Sequence, residues 1–243
     1  MNAPKPEDAS GYIRWKSWDA DEFGIVTAKD NAVFSHETRR AGVKLSNETL
    51  VLEIGFGNGT FAAWVKSKAA CYVGTESNPE LVDRAKRAGI EAYPATFDTS
   101  TIANGRSFSL IAIFDVLEHL EKEEIIAILG SSSRCLASNG RIIIRVPSGD
   151  SPYSGHLMHG DLTHKTHLGS FAFYQLATLS GLKVISIHNA AYPIFGLGLP
   201  TTIRRLFIAP ARIMADAIIR SIYYAGEPAV IAPNLVAVLG LPS

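Results

Sequence analysis

The chain has 243 residues, 47% of them hydrophobic, with 23 basic side chains against 23 acidic ones. That length and apolar content suit one α/β domain with a sizeable core, and the zero formal charge removes any bulk electrostatic case for a nucleic-acid partner. Cys71 and Cys135 make neither a metal-ligand spacing nor a disulfide framework; with no signal-peptide pattern over Met1–Asp8 and no run of about eighteen apolar residues, a cytoplasmic protein is expected.

Residues 1–10 read as loose chain. Between Tyr12 and Thr27, Trp15, Trp18 and Phe23 stand among charges, a composition that suits a cap over a pocket, a lining for a substrate entrance or an anchor for an N-terminal helix. A helix is expected over Asn31–Ala41, with His36 at its surface. Residues 1–45 therefore read as a helical cap segment ahead of a main domain at 46–243.

The main domain starts with Val51-Leu52-Glu53-Ile54-Gly55-Phe56-Gly57-Asn58-Gly59 and then Phe61, Ala62, Trp64 and Val65, which reads as buried strand, tight turn and amphipathic helix. Glycines let the backbone approach a ligand closely, and the helix start aims unpaired N–H groups at the same spot. Dinucleotide folds use G-x-G-x-x-G here; this chain has G-x-G-x-G behind an acid. Glu53 suits a cationic ligand, and S-adenosylmethionine, with its sulfonium and amino groups, is one. Glu53, Gly55, Phe56, Gly57, Asn58 and Gly59 are the expected cofactor-loop residues, against the plainer reading of a turn with no ligand.

A second strand, Ala70–Thr75, ends at Glu76-Ser77, about twenty residues beyond the glycines, where a parallel α/β unit places a carboxylate on ribose hydroxyls. Glu76 also fits as a cap for the helix expected over Pro79–Ala88. Ile90–Tyr93 is a short third strand, followed by Thr96–Thr99, where Phe97 would pack on an adenine ring and Asp98 reach its edge. Phe108–Phe114 is the fourth strand and runs into Asp115-Val116-Leu117-Glu118-His119-Leu120. Ligands in open parallel sheets sit beyond the carboxyl ends of strands at the switch in strand order, so Asp115, Val116 and His119 are expected at one crevice with the glycine loop. A helix over Lys122–Cys135, a turn at Asn139-Gly140 and a fifth strand over Arg141–Val146 follow.

Glu53-Ile54-Gly55-Phe56-Gly57-Asn58-Gly59, Glu76, Phe114-Asp115-Val116-Leu117-Glu118-His119-Leu120 and the strand ending at Val146-Pro147, in that order over Thr49–Pro147, resemble class I S-adenosylmethionine-dependent methyltransferases. The resemblance implies a Rossmann-like α/β three-layer sandwich with a seven-stranded, mostly parallel sheet whose last hairpin is antiparallel. It also implies S-adenosylmethionine as cofactor, with the three glycines around its methionine moiety and Glu76 on its ribose.

Pro147–His167 holds four of the seven histidines within twelve residues, in a turn-rich loop at the carboxyl edge of the sheet, and is the expected substrate loop. Its Ser-Gly-Asp-Ser-Pro and His-Gly-Asp-Leu-Thr-His stretches resemble a subgroup associated with sugars of cell-surface polysaccharide, which implies a small-molecule or glycan acceptor. Methyl transfer to a hydroxyl needs alignment and a base for the hydroxyl proton. A neutral histidine is the natural base and a carboxylate can hold its other nitrogen: His164 first, with His167 and His119 in reserve and Asp161 as partner, against histidines that only hydrogen-bond the loop. Asp115-x-x-Glu118-His119 with a loop histidine also resembles the acid-x-x-Glu-His arrangement by which some small-RNA and quinone O-methyltransferases hold a divalent ion; no metal is assigned here.

A sixth strand is expected over Leu182–His188, then a loop, then a helical insertion spanning about 191–227. Thr201–Tyr224 carries apolar residues at 203, 206, 207, 213, 214, 217 and 218 and arginines on the other face. Its expected place is over the sheet or substrate mouth; an anionic membrane surface or a dimer interface are the alternatives, and Pro210 would kink or break it. Ala229–Leu239 reads as the last strand, bulged at Pro233. The function expected is O-methylation of a sugar hydroxyl on a nucleotide-linked or lipid-linked glycan precursor. The alternatives are a metal-assisted phenol or quinone O-methyltransferase and a non-catalytic scaffold of the same fold.

Overall fold

The computed structural model describes residues 13, 15, 16, 18, 23–225 and 227–242; the expectations for residues 1–10 and Tyr12 lie outside them. The elements run α1 (Ala28–Arg40), β1 (Leu50–Ile54), α2 (Thr60–Ser67), β2 (Cys71–Glu76), α3 (Pro79–Arg87), β3 (Glu91–Pro94), α4 (Thr99–Ala103), β4 (Phe108–Phe114), α5 (Lys122–Cys135), β5 (Leu136–Pro147), α6 (Gly155–Met158), α7 (Ser170–Leu179), β6 (Lys183–Asn189), α8 (Leu199–Ile219) and β7 (Asn234–Gly240).

Seven strands form one sheet in the order β3-β2-β1-β4-β5-β7-β6. Strands β1 to β5 pair in parallel, and β7 runs antiparallel to both β5 and β6. The seven-stranded α/β sandwich with its antiparallel final hairpin is the architecture expected. Its central strands are predominantly apolar because both faces are covered. Successive side chains alternate between the faces: Leu52, Ile111, Ile113, Ile142 and Ile144 join the core beneath α5 and α7, while Val51, Leu110, Ala112, Ile143 and Val236 join the core beneath α1, α2 and α3. The strand order reverses between β1 and β4, which opens a crevice at their carboxyl ends.

Local chemistry sets the helix starts. Thr27 caps α1 in a reciprocal box with Asp30, Asn78 caps α3 ahead of Pro79, and Glu121 with Glu124 boxes the start of α5.

The structure departs from expectation in four places. Strand β7 begins at Asn234, after Pro233, because Val230 and Ile231 give backbone groups to the substrate loop: the Ser148 and Ser151 hydroxyls donate to Val230 O and Ile231 O, and Asp150 accepts from Val230 N. Strand β5 starts at Leu136 with no intervening turn; Gly140 sits at a bulge where a Cβ would lie 2.8 Å from Phe108 O. Helix α4 occupies what reads as loop, started by the Asp98 side chain accepting from Ser100 N. Helix α8 runs unbroken through Pro210, and none of its residues is buried, so it does not cover the sheet.

Candidate active site

A cleft of about 900 Å³ lies over the carboxyl ends of β1, β2 and β4, within the range of small-molecule sites. Its floor is the glycine loop. Gly55, Gly57 and Gly59 all have positive φ, and at two of them the space is closed as well: a Cβ on Gly55 would lie 2.4 Å from Val116 Cγ2, and one on Gly59 2.3 Å from Phe23 Cζ. Only glycine serves there. Trp18 lies over Gly57 and lines the cleft, and Phe23 meets Phe56 edge-on. Trp18 and Phe23 also pack against the core beneath α1 and α2, so the same contacts serve as an anchor for this segment.

Glu76 closes the loop from the end of β2. One carboxylate oxygen accepts from Gly57 N at 2.9 Å, the other from Ser77 Oγ and Asn78 N at 3.0 Å each. Glu76 thus ties the glycine loop to the residues that lead into α3. Glu53 is buried beneath the loop and accepts from the Tyr72 hydroxyl at 2.5 Å. Burial pushes its carboxyl up to about 8, with nearby Glu76 adding to the rise against the Tyr72 hydrogen bond. An electropositive ligand above it favours the ionised form.

The far wall comes from β4 and β5. Asp115, at positive φ, accepts a two-point contact from the Arg145 guanidinium, and Arg145 also lies 5.3 Å over the Phe114 ring. Arg145, Lys16 and Thr163 line the cleft; Arg145 and Lys16 carry no local motif, and Thr163 lies within the His159–His164 stretch but is not among its candidate site residues. Alternate-residue placement of Arg145 at the end of a strand was the one available signal. Asn58, Ser77, Phe97 and Val116 also line it, whereas Asp98 is spent on Ser100 and Arg134 and turns away.

The substrate loop docks on the 3₁₀ turn Leu117–His119: Lys165 N and Thr166 N donate to Glu118 O, and Thr166 Oγ1 donates to Leu120 O. This brings His119, His164, Asp161 and Thr163 together. His119 lines the cleft; His164 packs behind it with ring centroids 4.6 Å apart, its Nε2 3.8 Å from Asp161 Oδ2. Lys16 reaches the same carboxylate at 3.5 Å. His167 is exposed beside His159, outside the cleft lining.

The hydrogen bonds fix the His119 tautomer. Thr163 has one hydroxyl proton, and it goes to Asp161 Oδ1 at 2.6 Å. The 2.8 Å contact to His119 Nδ1 is then an Nδ1–H donating to Thr163, which leaves Nε2 as an acceptor. Burial, aided by the adjacent His164, holds this imidazole below its ordinary value, so it is neutral at pH 7. Burial opposes the ionisation of Asp161, yet hydrogen bonds from Thr163 hold its carboxyl below the usual range.

A family model described as a methyltransferase domain matches residues 27–187, well over half of the chain. The chain belongs to the methyltransferase-domain family. Its fold is that of S-adenosylmethionine-dependent methyltransferases of known structure. A SAM-dependent methyltransferase from Archaeoglobus fulgidus is similar in structure, with 18% identity, 86% of this chain and 93% of that one covered, and a TM-score of 0.59. An S-adenosylmethionine-dependent methyltransferase from Clostridium acetobutylicum is 10% identical over 97% and 98% of the two chains, at 0.57. The mitomycin 7-O-methyltransferase MmcR is 14% identical over 97% of this methyltransferase and 59% of its own chain, at 0.58. No curated protein matches the sequence.

Proposed function

We propose that this methyltransferase transfers the methyl group of S-adenosylmethionine to a hydroxyl, that of a sugar on a nucleotide-linked or lipid-linked glycan precursor, with His119 as the base. The observation that carries the proposal is the chain Asp161–Thr163–His119, in which the buried carboxylate fixes a neutral imidazole with Nε2 left as acceptor on a residue that lines the cleft. In-line displacement at the sulfonium carbon requires the acceptor oxygen to sit opposite the leaving sulfur. Nε2 takes the hydroxyl proton as the C–O bond forms and the C–S bond breaks, and S-adenosylhomocysteine leaves. His164 and Asp161 would act behind His119 as positioning residues. The sugar acceptor rests on the Ser148–Pro152 and His159–His164 stretches, which are carried by the loop that brings this chain to the cleft. The test is transfer of labelled methyl from S-adenosylmethionine to nucleotide sugars and lipid-linked glycans: label in the sugar supports the reading, and label only in small phenols removes it.

A second reading is favoured by a specific observation. One ligating atom each from Glu118, His119 and His164 lie within 4.8 Å of one another, and Glu118 Oε2 and His164 Nδ1 are buried with no hydrogen-bond partner. This donor set fits a divalent ion, with Glu118, His119 and His164 as its ligands, and such an ion would supply Lewis-acid activation of an acceptor hydroxyl. Burial pushes the Glu118 carboxyl up to about 8, with Asp115 adding to it, a cost that a bound cation removes. MmcR, a mitomycin 7-O-methyltransferase, methylates a small molecule, which agrees with a small acceptor. Loss of turnover with a chelator and its return with one divalent ion would select this reading over the metal-free base.

A further inference from the structure

Helix α8 is amphipathic the wrong way round for a soluble protein. At 3.6 residues per turn, Leu199, Ile203, Leu206, Phe207, Ile213 and Met214 fall within one arc of about 120°. This arc faces outward: Phe207 is 81% exposed and Ile213 71%. The half-buried residues of α8, Thr201, Thr202, Arg205, Ala209, Asp216 and Ile219, lie on the other side. That mostly polar side is what the protein holds: Arg205 donates to Pro193 O, and Arg205 and Arg212 stack on the Tyr192 ring. Arginine side chains thus anchor the helix to the body while its apolar stripe is left to the outside.

We infer that α8 lies in the interfacial layer of an anionic lipid membrane, with its apolar arc among the acyl chains. Charge argues for this occupant. Residues 199–224 carry four arginines and one aspartate, a net +3, in a chain whose total is zero, so the remainder is −3. Arg204 flanks the apolar arc and is exposed. A basic helix with a wide apolar face partitions into anionic interfaces, whereas a two-fold contact between copies would set one +3 helix against another. No helix among the described residues is long and apolar enough to cross a membrane, which leaves the interfacial position. The insertion leaves β6 at Asn189 and returns to β7 at Asn234, opposite the end of β5 at Pro147. It therefore projects from the same carboxyl edge that carries the cleft. Membrane attachment would bring that edge to the lipid surface, a placement that does not depend on which acceptor is used.

The test is flotation of the full chain with vesicles of phosphatidylcholine alone and with phosphatidylglycerol added. Wild type is expected to float with the anionic vesicles, less so as salt is raised. The pair Phe207→Ser and Met214→Ser should lower binding at least tenfold, and Arg204→Gln roughly fivefold, all with unchanged S-adenosylmethionine binding as the check on folding. Absence of flotation, or flotation unaffected by Phe207→Ser and Met214→Ser, would overturn the inference. A wild-type dimer that those substitutions convert to monomer, without vesicle binding, would overturn it in favour of a second copy.

Discussion

Glu53 offers the sharpest quantitative prediction. It is buried under the glycine loop with its carboxyl pushed up to about 8, so in the empty cleft it is mostly protonated at pH 7. If the cationic methyl donor is held by the ionised form, binding must expel that proton, and one pH unit below the pKa this lowers the apparent affinity by about tenfold, or ~1.4 kcal/mol. Affinity for S-adenosylmethionine should rise by about tenfold per unit from pH 6 to near 8 and then level off. Calorimetry in two buffers of different ionisation enthalpy should detect about one proton released at pH 7. Glu53→Gln should flatten the profile, since the amide keeps an acceptor for the Tyr72 hydroxyl but cannot ionise. The sign for the empty protein is the reverse. A carboxyl raised in the folded state contributes stability that is full below its ordinary value of 4.5 and is lost as pH rises through about 8. Thermal melts of the cofactor-free protein should therefore fall over that window, and less so in Glu53→Gln. A pH-independent affinity in wild type would refute the coupling.

Three further outcomes are expected. Glu76→Ala removes the acceptor for Gly57 N, Ser77 Oγ and Asn78 N; at ~1.5–3 kcal/mol for each such charged hydrogen bond, calorimetry should find cofactor affinity down by at least about 100-fold. Gly59→Ala places a Cβ 2.3 Å from Phe23 Cζ at positive φ, so it should cost about 1–3 kcal/mol and lower the melting temperature by ~2–4 °C per kcal/mol. With S-adenosylmethionine saturating, so that Glu53 no longer limits binding, the acid limb of the kcat/KM profile for the acceptor should lie below the ordinary imidazole value of about 6.5, because burial and His164 hold His119 down. His119→Gln should cost about 10²–10⁴ in rate and abolish that limb while leaving cofactor affinity intact; an unchanged profile would remove His119 as the base.

The legible parts of this molecule are those written within a dozen residues. Leu50–Ile54, Gly55–Gly59 and Phe108–Phe114 declare strand, turn and strand because burial on both sheet faces and positive φ constrain residue types directly. The spacing from the glycines to Glu76 is legible because one βαβ unit has a set length. Contacts between distant segments carry no such mark. Arg145 reads as an ordinary strand residue until β4 is laid beside β5 and Asp115 meets it. Asp98 resembles a ligand-binding acid, yet Arg134, a helix away, claims it. The Ser148-Gly149-Asp150-Ser151 stretch reads as a substrate motif, but three of its side chains stitch Val230, Ile231 and the start of α7 to the loop. Helix α8 shows its amphipathic period plainly, while the direction in which the apolar face points depends on Tyr192 and Pro193 beneath it.

The central claim, that the cleft over Gly55–Gly59 is an S-adenosylmethionine site, is tested most directly by calorimetric titration of the protein with S-adenosylmethionine, S-adenosylhomocysteine and NADH. Binding of both adenosyl ligands at one site per chain, lost in Glu76→Ala, with no heat from NADH, is the predicted result. Binding of NADH in place of the adenosyl ligands would contradict it.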